Sequence, residues 1–176
     1  MKNKRWLKWL LIVLGAAAVI VAAIFIVQAI MTGTKYGTKE YNTEASAEGL
    51  TIKVTSVERV AMLDEKCQER IVLLGNKEDY DCLIINVTIT NNTDGTFDYS
   101  YRNFGYRDPR SDKLLSTSLT NINFEGIDVT KELAAGESHS QEVLLSIRNT
   151  VNVSDLELVY RINPGTDNEA TITLPL

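Results

Sequence analysis

Two cysteines, one histidine and three knots of carboxylates are the residues of this chain whose types most invite chemistry. Cys67 and Cys82 have fourteen residues between them, and neither has a histidine nearby to complete a zinc ligand set. Two cysteines alone in a domain outside the cytoplasm predict a disulfide, which for a loop of this size stabilises by about 3 kcal/mol in the chain-entropy model; a pair of free thiols is the competing state. His139 lies in AAGESHSQE, a turn entering a strand, and is expected at the surface. Any Ser-His-Asp or Cys-His mechanism would have to use it, and zinc hydrolysis would need a second histidine. The sequence therefore nominates no catalytic residue, no metal ligand and no cofactor.

The carboxylates fall at Asp64-Glu65-Lys66, at Glu78-Asp79-Tyr80-Asp81 and in DPRSD from Asp108 to Asp112. Oxygen-rich loops can hold calcium, and that reading competes at the last two clusters with plain solvated charge that steers a basic partner. NNTDG (91–95) is a turn and no calcium loop, since Thr90 stands where the first acidic ligand would be needed. Tyr99 and Tyr101 follow Phe97 on one face of TFDYSYRNFGYRD (96–108), either as a contact face for a partner or as packing within the sheets. The candidate partner-binding residues are thus Glu78, Asp79, Asp81, Asp108, Asp112, Tyr99 and Tyr101.

Those residues must be positioned by strands. In DCLIINVTIT (81–90), Leu83, Ile85, Val87 and Ile89 point one way while Asn86, Thr88 and Thr90 point the other, the period-2 alternation of a strand with one wet face. One wet face favours antiparallel pairing. LTIKVTSVERV (50–60) sends Leu50, Ile52 and Val54 inward, and Val57 falls out of phase, which predicts a β-bulge. RIVLLG (70–75), SHSQEVLLSI (138–147), DLELVYRI (155–162) and EATITLPL (169–176) read as further strands separated by turn chemistry. No long amphipathic helix interrupts them, so seven to nine strands of an all-β antiparallel sandwich are expected.

The front of the chain is different. Trp9 to Met31 are 23 residues without a charge, about 34 Å as a helix and long enough for a hydrocarbon core of about 30 Å. Lys2, Lys4, Arg5 and Lys8 precede the stretch, which places the N-terminus in the cytoplasm. Val27-Gln28-Ala29 loosely fits a cleavage site, so a removed signal peptide is the alternative. The expected organisation is a basic cytoplasmic tail (1–8), a transmembrane α-helix (9–31), a flexible extracellular tether (32–48) and a sandwich (49–176). The chain has 18 Lys plus Arg and 23 Asp plus Glu; setting aside the four leading cations leaves 14 against 23, a formal −9. Such a domain is a poor match for nucleic acid and a better one for a basic or neutral protein.

LTIKVTSVERV and DCLIINVTITNNTDG, followed by NFGYRDPRSDKL, LAAGESHSQEVLLSI and SDLELVYRI, resemble the uncharacterised immunoglobulin-like domain of many Gram-positive lipoproteins and membrane-anchored envelope proteins. That group is related in fold to the mycobacterial immunoprotective extracellular protein. The resemblance runs from about Leu50 to Leu176. Ala135 stands where the family often has Pro before Gly136, and an apolar segment replaces the lipidated cysteine of many relatives. The resemblance implies an immunoglobulin-like sandwich at the envelope surface with no established catalytic residues, and a secreted toxin or a secretion component as one kind of partner. The expected function is a single-pass, extracellular, non-enzymatic module that docks a protein. A solute- or metal-binding accessory protein is the alternative, and an enzyme is a more distant one.

Overall fold

The computed structural model describes residues 35–71, 76–108, 113–116 and 127–176. The expected transmembrane helix at 9–31 and the tail at 1–8 lie outside the described residues, as do Asp112 and most of RIVLLG. In chain order the elements are β1 (Gly37–Ala47), β2 (Leu50–Ala61), a single helical turn α1 (Glu65–Gln68), β3 (Tyr80–Asn91), β4 (Phe97–Ser100), β5 (Phe104–Asp108), β6 (Lys113–Ser116), β7 (Thr130–Leu133), β8 (Ser138–Arg148), β9 (Glu157–Ile162) and β10 (Ala170–Pro175). One sheet has the order β1-β2-β3-β8, a second β10-β9-β5-β6, and β4 pairs with β7.

The pairings of β2 with β3 and of β3 with β8 are antiparallel and put the expected inward rows side by side: Ile52 opposite Ile89, Val87 opposite Val54, Leu83 opposite Leu145. These rows share one buried cluster with Leu158, Tyr160 and Ile162 of β9 and Ile172 and Leu174 of β10, so the two four-stranded sheets form a sandwich-like, all-β arrangement. The register of β2 on β3 slips between Val54 and Ser56, which is the bulge that Val57 announces.

The expectation of a flexible tether over 32–48 is corrected. Gly37–Ala47 is strand β1, and its half-buried residues Tyr41, Thr43, Ala45 and Ala47 alternate with exposed ones. An edge strand needs little apolar surface to hold its place, and threonine and alanine hide the alternation in the sequence. Glu48 and Gly49 join it to β2 with φ of 48° and 76°, the paired positive values of a two-residue type I′ hairpin. Gly49 is required twice over, because a Cβ there would lie 2.5 Å from Thr93 Cγ2. The expected single strand at 96–108 is also divided: β4 ends in a helical turn at Tyr101–Asn103, and β5 joins the other sheet.

Asn91 ties the turns at this end together. Its side chain is fully buried; Nδ2 donates to the carbonyls of Gly95 (2.8 Å) and Leu133 (3.0 Å), and Oδ1 accepts from Thr93 N–H (3.0 Å) and Thr93 Oγ1 (2.7 Å). Its backbone accepts from Gly136 N–H and donates to Glu137 C=O.

At the opposite end a second, smaller core lies on the other face of the sheet. Val60, Met62, Cys67, Ile71, Cys82, Ile84 and Leu144 are buried together, with the 62–71 segment as cover and the Cys67–Cys82 disulfide joining it to β3. The unbroken run Cys82-Leu83-Ile84-Ile85 is therefore buried on both faces. Beside it, Arg59 continues the inward row of β2 past Val57 and meets Asp81 of β3. Arg59 Nη2 and Nε lie 2.6 and 2.8 Å from Asp81 Oδ2, and the guanidinium also donates to the carbonyls of Val151 (2.8 Å) and Asn149 (3.0 Å).

Asp81→Ala leaves the buried Arg59 charge without its partner and should cost about 3–5 kcal/mol in urea unfolding, with Arg59→Met added on top regaining part of the loss. A cost below about 1 kcal/mol would contradict the pair's structural role. Cys67→Ser should lower stability by about 3 kcal/mol, read as a shifted denaturation midpoint; an unchanged midpoint would show that the 62–71 cover holds without its staple.

Candidate functional site

Beyond Val143 the inward row of β8 turns polar, continuing through Gln141 to His139, which sits opposite Ile89 of β3. His139 Nε2 is 3.2 Å from Gln141 Oε1 and 3.7 Å from Asp128 Oδ2, and Gln141 Nε2 donates to the Tyr99 hydroxyl. The imidazole lies 5.6 Å from the Tyr99 ring, and its side chain is only 11 % exposed. A surface histidine at a strand start is thus corrected to an inward-facing one that continues the core with polar groups.

Tyr99 and Tyr101 are corrected as well. Both are buried, so neither presents a face to a partner. Tyr99 stacks on Tyr160 at 6.1 Å with the rings 7° from parallel, and Phe104 meets Tyr160 edge-on at 4.8 Å. Their hydroxyls stitch the sheets together: Tyr160 accepts from Ser100 N–H (3.2 Å) and Tyr101 accepts from Leu144 N–H (2.8 Å), while Tyr106 donates to Ser146 C=O (3.1 Å). Removal from water drives the Tyr99 phenol far above the ordinary tyrosine range and pushes Tyr101 up to about 12. Tyr106 and Tyr160 move upward for the same reason, and the Ser100 N–H opposes it at Tyr160. At neutral pH these phenols are uncharged hydrogen-bonding groups. Among the described residues, His139 has the Gln141 amide and the Asp128 carboxylate as polar side-chain partners, and both cysteines are oxidised.

The candidate acidic residues are scattered in their roles. Asp81 is buried against Arg59 and is withdrawn from any exposed patch. Glu78 and Asp79 are exposed, on a helical turn capped by Asn76. Asn149 fixes their backbone, donating from Nδ2 to Glu78 C=O (2.8 Å) and from its N–H to Asp79 C=O (2.9 Å). Two carboxylates thereby face water on a turn whose backbone is tied to the end of β8. Asp108 ends β5 opposite Lys113 of β6. At the other end of the sheet, a half-open recess of about 590 Å³ lies between the β1–β2 turn, the start of β4 and the β9–β10 connection, with Glu48, Asp98 and Glu169 among its lining residues. Sequence reading missed Arg59 and Gln141, although each continues an inward row, and a polar residue in such a row signals a buried partner.

No protein-family model matches this chain, and no curated protein matches it in sequence. Among solved structures it is similar to a candidate lipoprotein of Bacillus subtilis, ycdA, with a TM-score of 0.51 and 16% identity over 77% of this chain and 39% of that one. The chain thus spans well under half the length of that relative. The yjhA protein of Bacillus subtilis gives a TM-score of 0.46 at 22% identity, covering 66% of this chain and 76% of that one. A functionally unknown protein of Listeria monocytogenes gives 0.47 at 11%, covering 80% and 88%. The first of these likenesses bears on the fold alone.

Tyr101 gives a pH prediction. Its folded pKa is raised to about 12 from an ordinary 10.0, so the stability it contributes is complete below pH 10 and is lost as pH rises through about 12. Urea midpoints measured across that window should fall with pH, and Tyr101→Phe should flatten the fall. An equal slope in the variant would contradict the burial argument.

Proposed function

We propose that the chain is a membrane-anchored, extracellular binding module of the bacterial envelope, an immunoglobulin-like sandwich that docks a protein partner and performs no catalysis. The observation that carries this reading is the disulfide Cys67–Cys82, buried under the second core of an acidic all-β domain that follows a 23-residue apolar stretch with a basic flank. Disulfides of this structural kind belong to oxidising compartments. The fold likeness to a candidate Bacillus lipoprotein supports the same location, with the apolar stretch in place of a lipid. Five residues, 32–36, separate that stretch from β1. That His139 pairs, among the described residues, with an amide and a carboxylate supports binding over catalysis. The partner is basic, because Glu78 and Asp79 are held outward in a domain of formal charge −9. A secreted toxin or a secretion component is the kind of partner that the resemblance suggests.

A solute-binding accessory role is the second reading, favoured by the recess beside Glu48, Asp98 and Glu169.

A photo-crosslinking residue placed at Glu78 or Asp79 in living cells should join the chain to a protein partner. Glu78→Gln with Asp79→Asn should slow association with that partner several-fold at low salt and leave the melting temperature unchanged. If no protein is trapped there and the purified chain instead takes up a small solute, with Asp98→Asn abolishing uptake, the second reading replaces the first.

A further inference from the structure

The two outer strands of the first sheet are treated differently by the fold. On β8, the edge facing away from β3 is occupied by tyrosines: Tyr101 accepts the Leu144 N–H and Tyr106 donates to the Ser146 carbonyl. On β1, eleven residues long, β2 is the hydrogen-bonded neighbour on one side, and among the described residues no strand pairs with the other. The hairpin fixes which backbone groups face that open side. In a two-residue turn the flanking residues Ala47 and Leu50 form the hydrogen-bonded pair, so Ser46 and Thr51 form a non-hydrogen-bonded one, in which side chains approach closely; their hydroxyls are 2.6 Å apart. The N–H and C=O of Ser46 and of Glu44 therefore point away from β2. A long edge without proline is a template for another strand.

Side chains along this edge say which strand it suits. Glu40 and Glu44, four residues apart on β1, are both exposed and lie on its wet face. A strand laid beside β1 sets its own residues directly opposite them, within cross-strand reach. We propose that the open edge of β1 accepts an extended, basic segment of a partner protein as a fifth strand, with Lys or Arg four residues apart opposite Glu40 and Glu44. Main-chain hydrogen bonds supply the affinity and the two cations fix the register. The inference rests on the reading of the domain as a protein-docking module and names the surface that docks.

The test uses the full chain in phosphatidylcholine nanodiscs and a synthetic ten-residue L-peptide of alternating Lys and Val, with empty nanodiscs as the blank. The peptide should bind saturably, and its all-D form and a version N-methylated on alternate residues should each bind at least tenfold more weakly, since both keep the charge and lose the strand pairing. Glu44→Pro removes an N–H that faces away from β2 and should weaken the L-peptide at least tenfold at an unchanged melting temperature. Equal binding of the L, D and N-methylated peptides would overturn the proposal in favour of charge attraction alone, as would full binding by Glu44→Pro. So would a dimer broken by Glu44→Pro, since a second copy would then own the edge. If Glu44→Pro still crosslinks its cellular partner through Glu78, the edge is not the docking surface while the docking reading survives; a wild-type chain that traps no protein would remove that reading itself.

Discussion

Strand β3 sets the terms for the rest of the domain. It is hydrogen-bonded along nearly its whole length on both edges, to β2 and to β8, and over Cys82 to Ile85 it is buried on both faces. A strand covered on one side only would leave Cys82 and Ile84 in water. The 62–71 segment is the cover, and a four-residue helical turn is too short to hold itself there, so the disulfide and the apolar contacts of Met62 and Ile71 do it. At the same end Asp81 faces inward and would be an isolated buried charge without Arg59. The need to finish β3 thus explains the staple and the ion pair together.

The far end of β3 is solved by a neutral residue. Asn91 uses one amide to satisfy two parts of the chain, the turn at 93–95 and the end of β7, while Asn92 N–H holds the carbonyl of Gly49 in the hairpin beside Thr93. That hairpin in turn carries β1 to the sheet edge. Polar groups elsewhere inside the domain follow the same logic: His139, Gln141 and Tyr99 form a chain across the β4 and β8 layers, and the tyrosine hydroxyls occupy the edge of β8. These are hydrogen bonds that fix a fold, while Glu78 and Asp79 stay exposed and β1 forms the end of its sheet.

Much of this was legible in the sequence, because the inward rows of β2, β3, β8, β9 and β10 alternate cleanly and Val57 betrays the bulge. The disulfide followed from parity and compartment. What stayed hidden shares a physical cause: the pattern of one strand does not say what covers it. Tyr99 and Tyr101 read as packing or as a sticky face, and their burial decides for packing. Asp81 looked like loop charge because its partner is 22 residues away in another strand. β1 escaped notice since an edge strand can be built from threonine, alanine and glutamate.

The central claim is that the folded part of the chain stands outside the cell as a disulfide-closed domain held by its front segment. The most direct measurement is the mass of what an external protease releases from intact cells. The account predicts a fragment containing β1 to β10 that gains two hydrogens on reduction, with a short membrane-held remnant left behind. A chain untouched until the cells are lysed, or a released fragment whose two thiols are already free, would contradict it.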